Sequence, residues 1–369
     1  MASPWYIIDE SDRIDSPALV IYLDRVKKNI RTLLTMIDDP SRLRPHVKTN
    51  KSPDVTRLLL DAGITKFKCA TISEAEMLGQ VRAPDVLLAY QPVGPKVDRF
   101  LDLIWKYPET AFSCLVDNPE SAAALAEKAS AGGQHIPVFI DLNVGMNRTG
   151  IRPGEKAIRL AQLIQDADGI FLRGLHAYDG HIRAIDINER TRICDAGFQP
   201  VQTMQSELEK QGFELTIVAG GSPTFPIHAR RGEVECSPGT FVFWDKGYKE
   251  ICPEQDFEPA ALVLSRVISH PTEHIFCLDL GHKSIAPENP LNRRVDFLNA
   301  PDLEFIGQSE EHLPVRTPPD QSLKVGDLLY GLPIHICPTV ALHDQAWVVE
   351  DGKILDRWRI LARDRTLSV

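Results

Sequence analysis

IPVFIDLNV (residues 136–144) and IFLRGLHAY (170–178) are short apolar, β-branched runs with a segment of helical character between them. The same rhythm extends in both directions. LRPHVK (43–48), KFKCAT (66–71), DVLLAYQ (85–91) and TAFSCLV (110–116) precede them, and ELTIVAGG (214–221) and EVECSPGTFVF (233–243) follow. SPDVTRLLLDAG, with Pro53 in a first helical turn and Gly63 as a stop, and SAAALAEKASAGG are two of the intervening helices. Near-continuous hydrophobic strands, each followed by a helix, mark a parallel sheet covered on its outer face. Eight such units over about 200–250 residues fit a TIM (β/α)8 barrel. A doubly wound open sheet is the alternative, weakened by the absence of GxGxxG after the first strand.

Beyond residue 250 the rhythm changes. ALVLSRVISH, HIFCLDLG, LEFIGQSEEH, VGDLLYGLP and QAWVVEDGKILDRWRI are strand-like with turns between them, which reads as a C-terminal all-β domain. PALVIYLD (17–24) is a further strand that fits either domain. The expected division is a barrel over 15–248 and a β domain built from 1–14 and 249–369.

The 369 residues, 43% hydrophobic and 25% charged, suit a barrel-sized domain plus a smaller one. With 41 Lys+Arg against 51 Asp+Glu, the net charge of −10 and the lack of a basic run argue against nucleic acid or an anionic membrane as partner. No stretch approaches the roughly 18 apolar residues of a membrane span. The opening MASPWYIIDESDR has no basic region followed by an apolar block, so no secretory signal is expected. Seven scattered cysteines without a CxxC pair point to a reducing, cytoplasmic setting; six read as core residues and Cys337 as the exception.

In a barrel, chemistry gathers at the C-terminal ends of the strands. Lys48, Arg148, Tyr178 and His181 fall there, as do Gly220, Gly221 and Ser222 after the seventh strand and Gly239 and Thr240 by the eighth. A desolvated lysine becomes a neutral, nucleophilic amine, although Lys48 alone is equally consistent with a solvated side chain. GGSPT and SPGT each offer bare backbone N–H groups and a hydroxyl, as a phosphate cradle needs, although each is also compatible with a tight turn. A lysine able to form a Schiff base, together with a phosphate cradle, suggests pyridoxal phosphate.

RPHVKTNK, GMNRTGI, HAYDGHI, GGSPT, PGTFVFWD and GLPIHICPTVALHD occur in the order and spacing of the alanine racemase-like pyridoxal phosphate enzymes. Over residues 15–365 the chain resembles the branch containing D-threonine aldolase and eukaryotic-type D-serine dehydratase. The resemblance implies a barrel plus β domain working as a homodimer. It implies that Lys48 carries the cofactor covalently, that Arg148 contacts its ring on the phenolate side and that Tyr178 lies beside it. Gly221, Ser222, Gly239 and Thr240 would hold the phosphate. Relatives often read KTHK where this chain has Lys48-Thr49-Asn50-Lys51, and Asn50 cannot titrate. Lys51 is the rival Schiff-base lysine.

His335 and Cys337 would share one face of a strand at i and i+2 and could grip one ion. By spacing alone, a satisfied histidine beside a core cysteine is the stronger reading. The resemblance matches the pair to the family's metal ligands. Imidazole plus thiolate favours zinc, whereas Asp in the second position would suit manganese. Asp279, Lys283 and His312 are second choices. The implied activity is retro-aldol cleavage of a β-hydroxy D-amino acid to glycine and an aldehyde, with His181 as base. Dehydration of D-serine or D-threonine to a 2-oxo acid and ammonia is the alternative. An amino-acid racemase, or a pyridoxal phosphate-binding protein without catalysis, stands further off.

Overall fold

The hydrophobic runs become strands of two separate sheets. A computed structural model describes residues 4–320 and 322–369 of the chain, so residues 1–3 of the expected 1–14 segment lie outside the described residues. The chain divides into two compact units, a β unit of residues 4–32, 49–54 and 240–363 and a barrel unit of 33–48, 55–239 and 364–369.

Strand β1 (Ala18–Tyr22) lies in the stretch that fits either domain, and it pairs within the β unit. The barrel unit holds β2 (Lys66–Cys69), β3 (Asp85–Leu88), β4 (Ala111–Val116), β5 (Ile136–Leu142), β6 (Ile170–Ala177), β7 (Thr216–Ala219) and β8 (Val234–Cys236). These are parallel and adjacent in chain order. The expected first strand, 43–48, is not regular. Pro45 has no N–H and interrupts the ladder, leaving bridges from Leu43 to Cys236 and from His46 to Lys68. Residues 43–47 are nonetheless bonded to both edges. Arg44 N–H donates to the Cys236 carbonyl at 2.8 Å, and Val47 N–H to that of Lys68 at 2.9 Å. The last expected strand, 233–243, shrinks to Val234–Cys236 because Pro238 cannot donate and residues Thr240–Val242 turn into a 3-10 helix. Leu87, Leu115, Phe139 and Val218 form an apolar layer in the barrel.

Local chemistry sets the helix ends. Thr71 caps the helix Ile72–Gln80 through the Glu74 amide, while the Glu74 carboxylate reaches back to the Ala70 N–H at 2.6 Å. Asn118 caps Pro119–Ala131. Gly63, at φ +85°, closes the turn after Pro53–Asp61.

In the β unit, β1 runs antiparallel to β9 (Ala261–Thr272) and parallel to β15 (Gln345–Glu350). The sheet extends through β10 (Ile275–Leu278), β13 (Leu313–Arg316) and β12 (Glu304–Phe305) on one side and β16 (Lys353–Arg359) on the other. Strand β14 (Leu328–Pro333) joins β9 to β11 (Val295–Phe297). Its core packs Val20, Tyr22, Leu262, Leu264, Leu332 and Val349. The unit is mostly rather than wholly strand, since it also holds short helices at Lys246–Ile251 and Ile336–Val340.

Candidate active site

A cavity of about 750 Å³ opens within the barrel unit, lined among others by His46, Lys48, Lys68, Gln91, Asp117, Arg148, His176 and Tyr178. Lys48 is half-buried in the turn that follows residues 43–47, and its backbone N–H donates to His46 Nδ1 at 3.2 Å. Its Nζ lies 5.6 Å from the centre of the Tyr178 ring, and the Arg148 guanidinium lies 5.1 Å from the same centre. Three residues the sequence placed at strand ends thus meet around one aromatic ring.

The cavity also contains a lysine that the sequence reading passed over. Lys68, on β2, is 2% exposed, and its Nζ sits 3.4 Å from His176 Nε2 and 5.5 Å from the Tyr178 ring centre. Burial, and then the charge of Lys48, bring its pKa down to about 7, against the pull of Asp179 and Asp141. His176 Nδ1 donates to Asp141 Oδ1 at 2.8 Å, which leaves Nε2 as the acceptor toward Lys68. Burial and the Lys68 charge hold His176 below its ordinary range, so it is neutral. Burial alone would raise Asp141, but bonds from His176, Thr149 and Gln91 outweigh it and keep the carboxylate ionised. Gln91 Nε2 spans Asp141 and Asp117 at 3.0 and 2.9 Å.

His181 does not line this cavity. It is exposed, and its ring stands so close to Gly145, at φ +123°, that a Cβ there would meet Nε2 at 2.8 Å. Lys51 adopts φ +50° ahead of the helix that starts at Pro53, and its carbonyl accepts from Ala362 N–H at 3.1 Å. Asn50 caps the same turn, its Oδ1 accepting from the Ser52 amide at 3.0 Å.

The two glycine loops have the character of a cradle. Gly220 takes φ +78°, and a Cβ on Gly221 would lie 3.0 Å from Tyr178 Cε2, so only glycine lets this loop approach the ring. Gly239 N–H donates to Ser222 Oγ at 3.3 Å, which brings the two loops together. Ser237 Oγ in the second loop is buried without a hydrogen-bond partner, as a hydroxyl awaiting an anion would be. Thr240, the next residue after Gly239, is buried in the β unit with its Oγ1 3.7 Å from Cys337 Sγ. The buried lysine environment, the cations around Tyr178 and this cradle suit a group bearing an aldehyde, a phenolate and a phosphate.

Behind the first loop lies a second network that the sequence did not disclose. Thr224 accepts from Gly221 N–H at 3.2 Å and donates to Asp179 Oδ1 at 2.7 Å. Arg231 donates to His228 Nδ1 at 2.6 Å, which leaves Nε2 to donate to Asp179 Oδ2 at 2.9 Å. Burial first, and then Asp179, push the Cys194 thiol up to about 12, so it stays protonated beside them. Among the described residues, Asp179, Cys194 and His228 form a three-ligand group within 4.8 Å. The Arg231 guanidinium beside it opposes a dication.

In the β unit, His335 and Cys337 do not lie on a strand as expected. Strand β14 stops at Pro333; His335 caps the helix Ile336–Val340, and Cys337 stands in its first turn. The two side chains still bond to each other. Burial works against the charged imidazole, but Cys337, Asp245 and Glu288 outweigh it and raise His335 to about 9. His335 Nδ1 lies 2.6 Å from Glu288 Oε1, and Thr49 Oγ1 lies 3.1 Å from Cys337 Sγ. Imidazole and thiol are donor types suited to zinc, with the Glu288 carboxylate bonded to the imidazole. Asp279 is occupied by Ser265, Ser16 and the Arg266 amide; Lys283 pairs with Glu310 and Glu311, and His312 is exposed. Five of the seven cysteines are buried, Cys277 and Cys337 are half-buried, and none forms a disulfide.

Known proteins resemble this chain over nearly its whole length. D-threonine aldolase from Arthrobacter sp. is 29% identical over 363 residues, covering 96% of this chain and 94% of the relative. 3-Hydroxy-D-aspartate aldolase from Paracoccus denitrificans is 29% identical over 374 residues, covering 97% and 94%. D-threo-3-hydroxyaspartate dehydratase from Delftia sp. is 28% identical over 265 residues, covering 70% and 68%. The crystal structure of D-threonine aldolase from Filomicrobium marinum superimposes with a TM-score of 0.89 at 27% identity, covering 98% of this chain and 99% of that one. Residues 260–349 match the putative serine dehydratase domain. Residues 21–246, well over half of the chain, match the alanine racemase N-terminal domain, and the chain therefore belongs to that family of fold type III pyridoxal phosphate enzymes.

Proposed function

We propose that this chain is a pyridoxal phosphate- and divalent metal-dependent lyase that cleaves β-hydroxy D-amino acids of the D-threonine type to glycine and an aldehyde. The observation that carries the reading is the gathering of Lys48 and Arg148 around Tyr178 in one cavity. Relatives named as aldolases, matched over nearly their full length, support it.

Lys48 is the residue that would hold the cofactor covalently, with Arg148 on its phenolate side and Tyr178 beside its ring. Gly221, Ser222, Gly239 and Thr240 would hold its phosphate. When bound, the cofactor supplies an electron sink for charge developing at Cα. His335 and Cys337 would hold zinc or manganese, which supplies Lewis acidity toward a hydroxyl. Lys48 presents an amine at the cavity wall, where protons can be exchanged at Nζ. His181, three residues after Tyr178 and exposed, is the proposed base for the β-hydroxyl proton. We assign the cofactor to residues 15–248 and the metal pair to the domain of 1–14 and 249–369. The working form is a homodimer in the cytoplasm; seven cysteines with no disulfide among them support a reducing compartment.

Dehydration to a 2-oxo acid and ammonia is the second reading, favoured by the serine dehydratase match over 260–349 and the Delftia relative. Incubation of the protein with D-threonine or D-serine, plus zinc or manganese, separates the two. Glycine with acetaldehyde supports cleavage, and 2-oxobutyrate or pyruvate with ammonia supports dehydration. Neither product from a loaded protein would remove both.

A further inference from the structure

Lys68 is the buried cation that the reading above leaves without a task. It is 2% exposed yet lines the cavity, and the group within hydrogen-bonding reach of its Nζ is the neutral imidazole of His176, 3.4 Å away. The carboxylate nearest that pair, Asp141, is already taken by His176, Gln91 and Thr149. A buried ammonium without a carboxylate partner is costly, so burial holds the amine partly neutral.

We propose that Lys68 is an anion-receiving residue of this cavity, which takes a proton from solvent when an anionic oxygen of the ligand, the cofactor phenolate or the substrate carboxylate, comes to rest beside it. The inference rests on the cavity taking pyridoxal phosphate at Lys48. The charged and titratable groups around Lys68 are Arg44 from the segment before the turn, Lys48 in the turn, Asp141 on β5, His176 on β6, and Tyr178 and Asp179 just beyond it. Burial, joined by the two cations and opposed by the two carboxylates, brings its pKa to about 7, within reach of a single incoming negative charge. An anion arriving raises that value toward the ordinary lysine range, and the amine protonates.

Calorimetry at pH 7.5 in buffers of different ionisation heat reads the proton directly, for the wild type, Lys68→Met and Lys68→Arg. The probes are pyridoxal phosphate added to the apoprotein, and glycine, which has a carboxylate but no β-hydroxyl, added to the loaded protein. In one of these two steps the wild type should take up about half a proton or more beyond Lys68→Met. In that step Lys68→Met should bind about ten- to a hundredfold more weakly. Lys68→Arg should keep the affinity without the uptake, since its charge is permanent. A difference on loading assigns the phenolate, and a difference only with glycine assigns the carboxylate. Equal uptake and equal affinity in both steps for wild type and Lys68→Met would overturn the proposal, as would a borohydride-trapped adduct on Lys68. Absence of any wild-type adduct on Lys48 would instead sink the cofactor reading itself.

Discussion

One barrel contains two clusters of buried charge, and they differ in whether their charges are matched. In the first, the fully buried guanidinium of Arg44 bridges Asp85 at 2.6 Å and Glu235 at 2.7 Å. Lys66 closes on Glu235 and Arg173 on Asp85. Lys66 and Asp85 are the opening residues of β2 and β3, so this cluster lies toward the strands' N-terminal ends. In the second, Lys68, two residues further along β2, faces a neutral histidine while the neighbouring carboxylate is committed elsewhere. A matched cluster holds strands together, and an unmatched one is ready to hold a ligand.

Lys48→Ala should break the contrast from the ligand side. Lyase activity should fall by at least about a thousandfold and the borohydride-trapped adduct should vanish. The unfolding free energy from urea titration should stay within about 0.5 kcal/mol of wild type, because a half-buried lysine adds little to stability.

Arg44→Met breaks it from the structural side. It leaves Asp85 with Arg173 alone and Glu235 with Lys66 alone, at a cost of about 3 kcal/mol measured by denaturant unfolding, with adduct formation on Lys48 retained below the transition. The sign with pH follows from Asp85. Burial would raise its pKa, but Arg44 and Arg173 outweigh burial and lower it. Its contribution is therefore present above the unfolded value of about 4 and lost as pH falls through the lower folded value. Stability curves from pH 6 to pH 3 should be steeper for wild type than for Arg44→Met.

A charge-independent control lies in the β unit. His335→Ala and Cys337→Ser should each lower metal-stimulated turnover by about a hundredfold while the cofactor's yellow colour persists. Full turnover with either change would make the pair structural.

The smallest effect tests the network behind the Gly220–Gly221 loop. Asp179→Asn weakens the acceptor that orders Thr224 and, through it, Gly221. Cofactor affinity should drop by about tenfold, read by equilibrium dialysis, with little change in unfolding midpoint. An unchanged affinity would reduce Asp179 to a packing role.

Much of the site was legible because its signals are local. Strand runs, the strand-end positions of Lys48, Arg148 and Tyr178, and the glycine pairs each occupy a few consecutive residues. Lys68 was passed over because nothing within KFKC separates a barrel-facing lysine from a solvated one. Its partner His176 lies 108 residues away, and Asp179 and His228 are 49 apart. The strand expected to carry His335 and Cys337 failed for a local reason that was visible but misweighed. Pro333 ends the ladder, and Pro338 sits where a first helical turn tolerates it.

By itself the sequence determined the alternation of strand and helix, the change to a mostly strand region after residue 250, and which residues stand at strand ends. Those follow from side-chain period and from proline and glycine geometry, which act over a few residues. Only the tertiary structure decided which buried charges are matched and which is left facing a cavity. Electrostatic balance depends on distances of a few ångströms between side chains remote in the chain, and no local pattern encodes it.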